Sequence, residues 1–135
     1  MNDAVVVVDA SVLVDVLLVP TRSEQLARLV GDRVVAAPAH VDAEVVSALA
    51  RLYRHGDLSA DQVVARLALV EAMTLHRHLL APLLEQAWRL RDNVAVLDAL
   101  YVALAQALGT TVLTTDGRLS RANEHAKLVH WTDPQ

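Results

Sequence analysis

The sequence predicts an α/β fold: a single domain over residues 1–135, with a short, mostly parallel central sheet of about four or five strands and helices on both faces. Three observations predict it. Short apolar, β-branched runs recur along the chain, Val5–Val8 being the clearest, and such runs suit strands covered on both faces. Helix-like stretches separate these runs, and that alternation favours parallel pairing. Apolar residues make up 54% of a 135-residue chain, enough for one substantial core. No repeat, low-complexity tract or linker divides the sequence.

The elements follow in order. Val5–Val8 is the first strand. Ala10–Val19 is a helix closed by Pro20, and Ser23–Val30 is a second, ended by Gly31. Val34–Ala36 is a brief strand. Pro38 opens a longer helix to about Arg54, since proline suits a first turn. Gly56-Asp57 breaks it, and Ser59 caps the next helix, which runs to about Ala72. Leu75 lies in a short strand, and Pro82 starts a helix to about Arg91. Leu97–Leu108 is helical, with Gly109 as its C′ residue. Val112–Thr114 is a strand, Leu119–Glu124 a short helix and Leu128–Trp131 a last strand.

Composition narrows the function. With no cysteine, disulfides, thiolate zinc sites and thiol catalysis are excluded. The net charge is −4, whereas a generic nucleic-acid binder is basic. A cation held by acids would change that balance. No Lys/Arg cluster precedes the first apolar run, which argues against a signal peptide. The apolar stretch 4–19, broken by Asp9 and Asp15, is too short for a membrane span. A cytoplasmic location is expected.

Four carboxylates stand at apolar positions. Asp9 ends the run Val5–Val8, and Asp116 follows Val112–Thr115. Each can cap the next helix, or hold a ligand at the carboxyl end of a strand. If both strands are parallel neighbours, the two acids meet; caps have no reason to converge. At about 100° per residue, Glu44 falls on the flank of a stripe formed by Val41, Val45, Ala48 and Leu52. The bland alternative is a surface Glu pairing with Arg51. Asp98 is the only charge in Leu97–Leu108 and is either an N-cap or an inward acid.

Two carboxylates about 4 Å apart repel by roughly 4 kcal/mol at an effective dielectric near 20. An all-oxygen acid cluster therefore points to Mg²⁺ or Mn²⁺. Ser11 and Thr115 flank the strand-end acids and could orient a ligand. Arg118 and Arg121, soon after Asp116, are the foremost candidates for phosphate contacts, ahead of Arg22, Arg28, Arg51 and Arg54. His76-Arg77-His78 reads as surface on a strand, and Trp88 and Trp131 as packing residues. Asp15, Asp57, Asp61, Asp92 and Asp133 read as surface, cap or turn acids.

Val-Val-Asp-Ala-Ser-Val-Leu-Val (7–14) resembles the opening of PIN-domain ribonucleases. Leu-Asp-Ala-Leu-Tyr-Val-Ala-Leu-Ala (97–105), Gly109 and Leu-Thr-Thr-Asp (113–116) resemble their C-terminal half, most of all in VapC-type toxins of bacterial toxin–antitoxin pairs. The resemblance implies an Mg²⁺- or Mn²⁺-dependent endoribonuclease that hydrolyses RNA through a metal-activated water. It carries the catalytic and metal-binding acids onto Asp9, Glu44, Asp98 and Asp116, with Ser11 and Thr115 in support. Asp42, two residues from Glu44, points by helical geometry toward Leu49 and Tyr53 instead. The resemblance also implies a homodimer, a VapB-type antitoxin, and a heterotetramer or larger complex with it. Groove candidates are the apolar faces of residues 12–19, 41–53 and 63–70. Competing readings are a non-catalytic PIN-fold binding domain, an aspartate-based phosphatase and a phosphorylated receiver. The phosphatase lacks its second Asp, since position 11 is Ser; the receiver lacks a lysine at a strand end, since the only one is Lys127.

Overall fold

A computed structural model describes residues 2–132. Asp133, read above as a surface or turn acid, lies outside the described residues. The core is a five-stranded sheet ordered β3-β2-β1-β4-β5, formed by β1 (Val5–Val8), β2 (Val34–Pro38), β3 (His76–His78), β4 (Val112–Thr114) and β5 (Ala126–Leu128). All four pairings are parallel. The all-valine β1 sits in the middle, with Val6, Val7 and Val8 fully buried, as a strand covered on both faces requires.

Seven helices connect the strands among the described residues: α1 (Ala10–Leu18), α2 (Pro20–Val30), α3 (Val41–Arg54), α4 (Ala60–Ala72), α5 (Leu84–Arg89), α6 (Val96–Leu108) and α7 (Gly117–Ala122). Right-handed crossovers put α1–α4 on one face of the sheet and α5–α7 on the other. Helix α6 packs against β1, β2 and β4, and every residue from Ala99 to Ala105 is buried. That explains its near-total lack of charge. Gly109 closes α6 in the left-handed region at φ 67°, where a side chain would be strained. Ser59 and Gln62 form a reciprocal capping box on α4.

Several boundaries differ from the sequence reading. Pro20 does not only close α1; it is the first residue of α2, where its missing N–H costs nothing. Pro38 ends β2 rather than opening α3, which starts at Val41. It pairs with His78 at the end of the ladder, where a lost donor matters least. The third strand is His76–His78, with Leu75 just before it. A 3₁₀ turn at Ala81–Leu83 precedes α5. The short helix near the end is Gly117–Ala122, and the last strand is Ala126–Leu128, earlier than Leu128–Trp131. Apolar residues at 128–131 mimic a strand, but only Val129 among them is buried.

Candidate active site

From β1 the sheet grows one way through β2 to β3; from β4 it grows the other way to β5. The direction reverses between β1 and β4, and open α/β sheets place their sites at the carboxyl end of that gap. Asp9 follows β1 there, its backbone N–H donating to the Leu113 carbonyl at 3.1 Å. Asp116 stands just beyond β4. Helices α1, α3, α6 and α7 start at that edge, so their first turns gather at the same place. Asp9 and Asp116 are the N-caps of α1 and α7, while Glu44 and Asp98 lie in the first turns of α3 and α6. Each acid thus sits at the positive end of a helix. The four line one pocket, together with Ser11, Asp15, Ala48, Arg51 and Tyr101.

The cap and ligand alternatives therefore coexist for the strand-end acids. Asp9 accepts from the Val12 N–H at 3.2 Å, and Asp116 from the Arg118 N–H at 2.8 Å. Both still face the pocket. For Asp98 the N-cap alternative falls away, because the cap is Ala95.

Two hydroxyls tie the strand ends together. Ser11 Oγ donates to Asp9 Oδ1 and accepts from the Thr115 N–H at 3.0 Å. The buried Thr114 hydroxyl bonds to Asp9 and accepts from the Asp116 N–H at 3.0 Å. Thr115 thus contributes its backbone N–H, and the strand hydroxyl that meets Asp9 belongs to Thr114. Strand alternation explains this: the inward residue of the pair is the one that reaches the neighbouring strand.

Glu44 is held from α6 and from its own helix start. Tyr101 Oη donates to Glu44 Oε1 at 2.6 Å, and His40 Nε2 lies 3.2 Å from the same oxygen. His40 Nε2 is also 3.0 Å from the Leu97 carbonyl, which can only accept, so this nitrogen carries the proton. The His40 and Tyr101 rings touch at 4.8 Å. Asp42 is elsewhere: Arg77 grips it with two bonds of 2.7 and 3.0 Å. Asp15, read as a surface acid, lines the pocket and accepts from Trp131 Nε1 at 2.9 Å. Thr114, Tyr101 and His40 were not singled out from the sequence, and Asp15 was assigned to the surface. Thr114 meets Asp9, Tyr101 meets Glu44 and His40 meets the Leu97 carbonyl only through the fold, across long stretches of chain.

Arg118 and Arg121 lie exposed on α7, beside the pocket rather than in it. His76 and Arg77 are exposed on β3. Trp88 is exposed under Arg91, and half-buried Trp131 packs against the core.

Burial pushes the proton affinity of Asp9 above the ordinary aspartate range, against the hydrogen bonds from Ser11, Thr114 and Val12. Asp98 is pushed up too, by burial first and then by the charges of Asp116, Glu44 and Asp9. The Tyr101 hydroxyl is raised well above its usual range by burial and by its bond to Glu44, so it stays a donor. The donor set is all oxygen and crowded with negative charge, and Asp9 and Asp98 are reluctant to ionise, which is what a hard divalent cation relieves. Among the described residues, no three acids or imidazoles close on one point as a ready cage. An open ring fits Mg²⁺, which keeps several waters and takes only one or two carboxylates directly.

The PIN domain family model matches residues 6–125. Ribonuclease VapC3 of Mycobacterium tuberculosis is 45% identical over 118 residues, 87% of this chain and 86% of its own length. Ribonuclease VapC12 of the same organism is 32% identical over 120 residues, covering 89% and 93%. Among solved structures, Pyrobaculum aerophilum PAE2754 superposes with a TM-score of 0.69 at 20% identity, over 92% of this chain and 83% of its own. Mycobacterium tuberculosis VapC20, described as a sarcin-ricin loop cleaving toxin, superposes with a TM-score of 0.62 at 23% identity, covering 87% and 94%. The sheet order, the four acids at its switch point and these matches lead to one assignment: the chain belongs to the PIN-domain family and, within it, to the VapC-type ribonucleases.

Proposed function

We propose that this protein is a Mg²⁺- or Mn²⁺-dependent endoribonuclease that acts as the toxin of a toxin–antitoxin pair. The observation that carries the metal-dependent reading is the convergence of Asp9, Glu44, Asp98 and Asp116 on one pocket. Asp9, Asp98 and Asp116 with Glu44 would hold the cation. When bound, it supplies positive charge for the phosphate oxygens and makes a water acidic enough to attack near neutral pH.

The chain's own residues set the geometry. Ser11, Thr114 and the Val12 N–H fix the Asp9 carboxylate. Tyr101 and His40 occupy Glu44 Oε1, leaving Oε2 for the pocket. Asp98, in the first turn of α6, faces the same pocket from the opposite side of the gap between β1 and β4, and the proton the attacking water sheds passes to solvent. The water oxygen bonds to phosphorus as the opposite ester bond breaks, with inversion and no covalent link to the protein.

The same reading brings a VapB-type antitoxin, a homodimer and a cytoplasmic setting. Val46 and Val64 are 43% and 66% exposed on α3 and α4, which leaves apolar surface for a partner helix. Among the described residues no helix is long and apolar enough to cross a membrane. The phospho-aspartate readings gain no support: Lys127 lies exposed within β5, away from the acids.

The test is cleavage of a mixed cellular RNA pool by antitoxin-free protein with Mg²⁺, Mn²⁺ or EDTA, beside Asp9→Asn and Asp98→Asn. Asparagine keeps the cap on α1, so Asp9→Asn separates chemistry from folding. Discrete cuts that need metal and vanish in both variants support the proposal. Cuts that survive EDTA or both substitutions defeat it.

A further inference from the structure

The acid pocket is lined by five carboxylates, those of Asp9, Asp15, Glu44, Asp98 and Asp116, and by one cationic side chain, Arg51. An arginine beside so much negative charge ordinarily pairs, as three do elsewhere in the chain: Arg77 with Asp42, Arg89 with Glu85 and Arg22 with Asp15. Arg51 makes no hydrogen bond or ion pair with any described residue. The free acid it might have taken, Asp15, is engaged by Trp131 and Arg22. Arg51 is exposed, so its guanidinium is not there to fill the core.

Its position is set by α3. Arg51 is seven residues after Glu44, two helical turns along the same face and about 10.5 Å further on. Ala48 lies between them and also lines the pocket, with no long side chain to separate the acids from the guanidinium. Helix α3 therefore presents an acid at its start and a cation two turns later, toward one cleft. A planar guanidinium has five donors arranged to grip phosphate oxygens. A chain of net charge −4 must also overcome its own repulsion of a polyanion.

We propose that Arg51 is a substrate-positioning residue that binds a non-scissile phosphate of the RNA while the neighbouring phosphodiester lies over the acids. The inference rests on the nuclease reading and adds to it a path for the bound strand, along α3 between Glu44 and Arg51.

The test uses the full chain and a fluorescein-labelled single-stranded RNA oligonucleotide of mixed sequence. Binding is followed by anisotropy with Mg²⁺ at several salt concentrations, in an Asp98→Asn background that does not cut. Arg51→Ala should weaken binding roughly tenfold, the loss of one charge-assisted contact. The slope of log affinity against log salt should become shallower by about 0.7, one phosphate contact on a single strand. Arg51→Lys should keep the slope. In cleaving protein, Arg51→Ala should raise KM far more than it lowers kcat, and calorimetric Mn²⁺ affinity should stay within about twofold of the parent. An unchanged salt slope overturns the proposal, as does a kcat loss at constant KM or a collapse of Mn²⁺ affinity. If the parent cleaves RNA and Arg51→Ala behaves identically, Arg51 alone is misassigned; if the parent neither binds nor cleaves RNA, the nuclease reading falls and takes this one with it.

Discussion

Replacing Tyr101 with phenylalanine removes one atom from a buried contact and leaves the ring. Tyr101 is 1% exposed, so the apolar burial of the ring is unchanged in Tyr101→Phe. What disappears is the 2.6 Å bond to Glu44 Oε1 and the acceptor the hydroxyl offers the Ala10 backbone N–H. A hydrogen bond to a charged group contributes about 1.5–3 kcal/mol. The Glu44 side chain is 28% exposed, so water can take the place of the hydroxyl, and His40 still reaches the same oxygen. The loss therefore falls at or below the lower end, about 1–1.5 kcal/mol. For a chain of this size that lowers Tm by roughly 3–6 °C. The larger effect is on the cation: outer residues that orient a ligand typically contribute about 10- to 100-fold in metal affinity. Thermal unfolding by circular dichroism in EDTA, with Mn²⁺ calorimetry on the same sample, separates the two. A variant with unchanged Tm and unchanged Mn²⁺ affinity would refute the claim that Tyr101 orders Glu44.

Three further outcomes are expected. Asp9 and Asp98 hold protons more tightly in the folded chain than the ordinary aspartate value of 3.8. The folded state thus binds more protons than the unfolded state above 3.8, and stability of the metal-free protein falls as pH rises from there through the raised values. Denaturant titrations in EDTA across this window should show that slope, flatter in Asp98→Asn; a rise in stability instead would contradict it. Asp42→Ala should cost less than about 1 kcal/mol and leave RNA cleavage intact, since the half-exposed pair with Arg77 is remote from the pocket, whereas Glu44→Gln should lower kcat at least tenfold. Equal activity loss in both variants would mean that the wrong acid on α3 was chosen. Leu49→Ala, at a site with 0% exposure, should destabilise by about 3 kcal/mol in urea unfolding while leaving metal affinity unchanged.

The parts of the site that were legible in the sequence are those where local pattern and chemistry conflict. Asp9 and Asp116 stood out because a charge interrupts an apolar strand, and Asp98 because a single charge enters an otherwise apolar helix. Helical angle alone separated Glu44 from Asp42, and the structure sends the two to opposite destinations. Residues whose role depends on distant partners gave no such conflict. Tyr101 meets Glu44 across 57 residues, and Trp131 meets Asp15 across 116. Thr114 rather than Thr115 reaches Asp9, a choice made by strand alternation that the tandem Thr-Thr conceals. The misplaced boundary at Pro38 has a physical cause: proline is compatible with both a first helical turn and a strand end, and only the ladder to β3 decides between them.

The central strand also governs when the site can exist during synthesis. Val7 of β1 pairs with Val112 of β4, so the first of these five strands waits for the fourth. Until β4 arrives, Asp9 lacks the Leu113 carbonyl and the Thr114 hydroxyl that fix it, and Asp116 has not been made. A nascent or prematurely terminated chain that stops before residue 112 carries three of the four acids but no edge on which to assemble them. The order of strands in the sheet thus delays assembly of the complete site until β4 has been made.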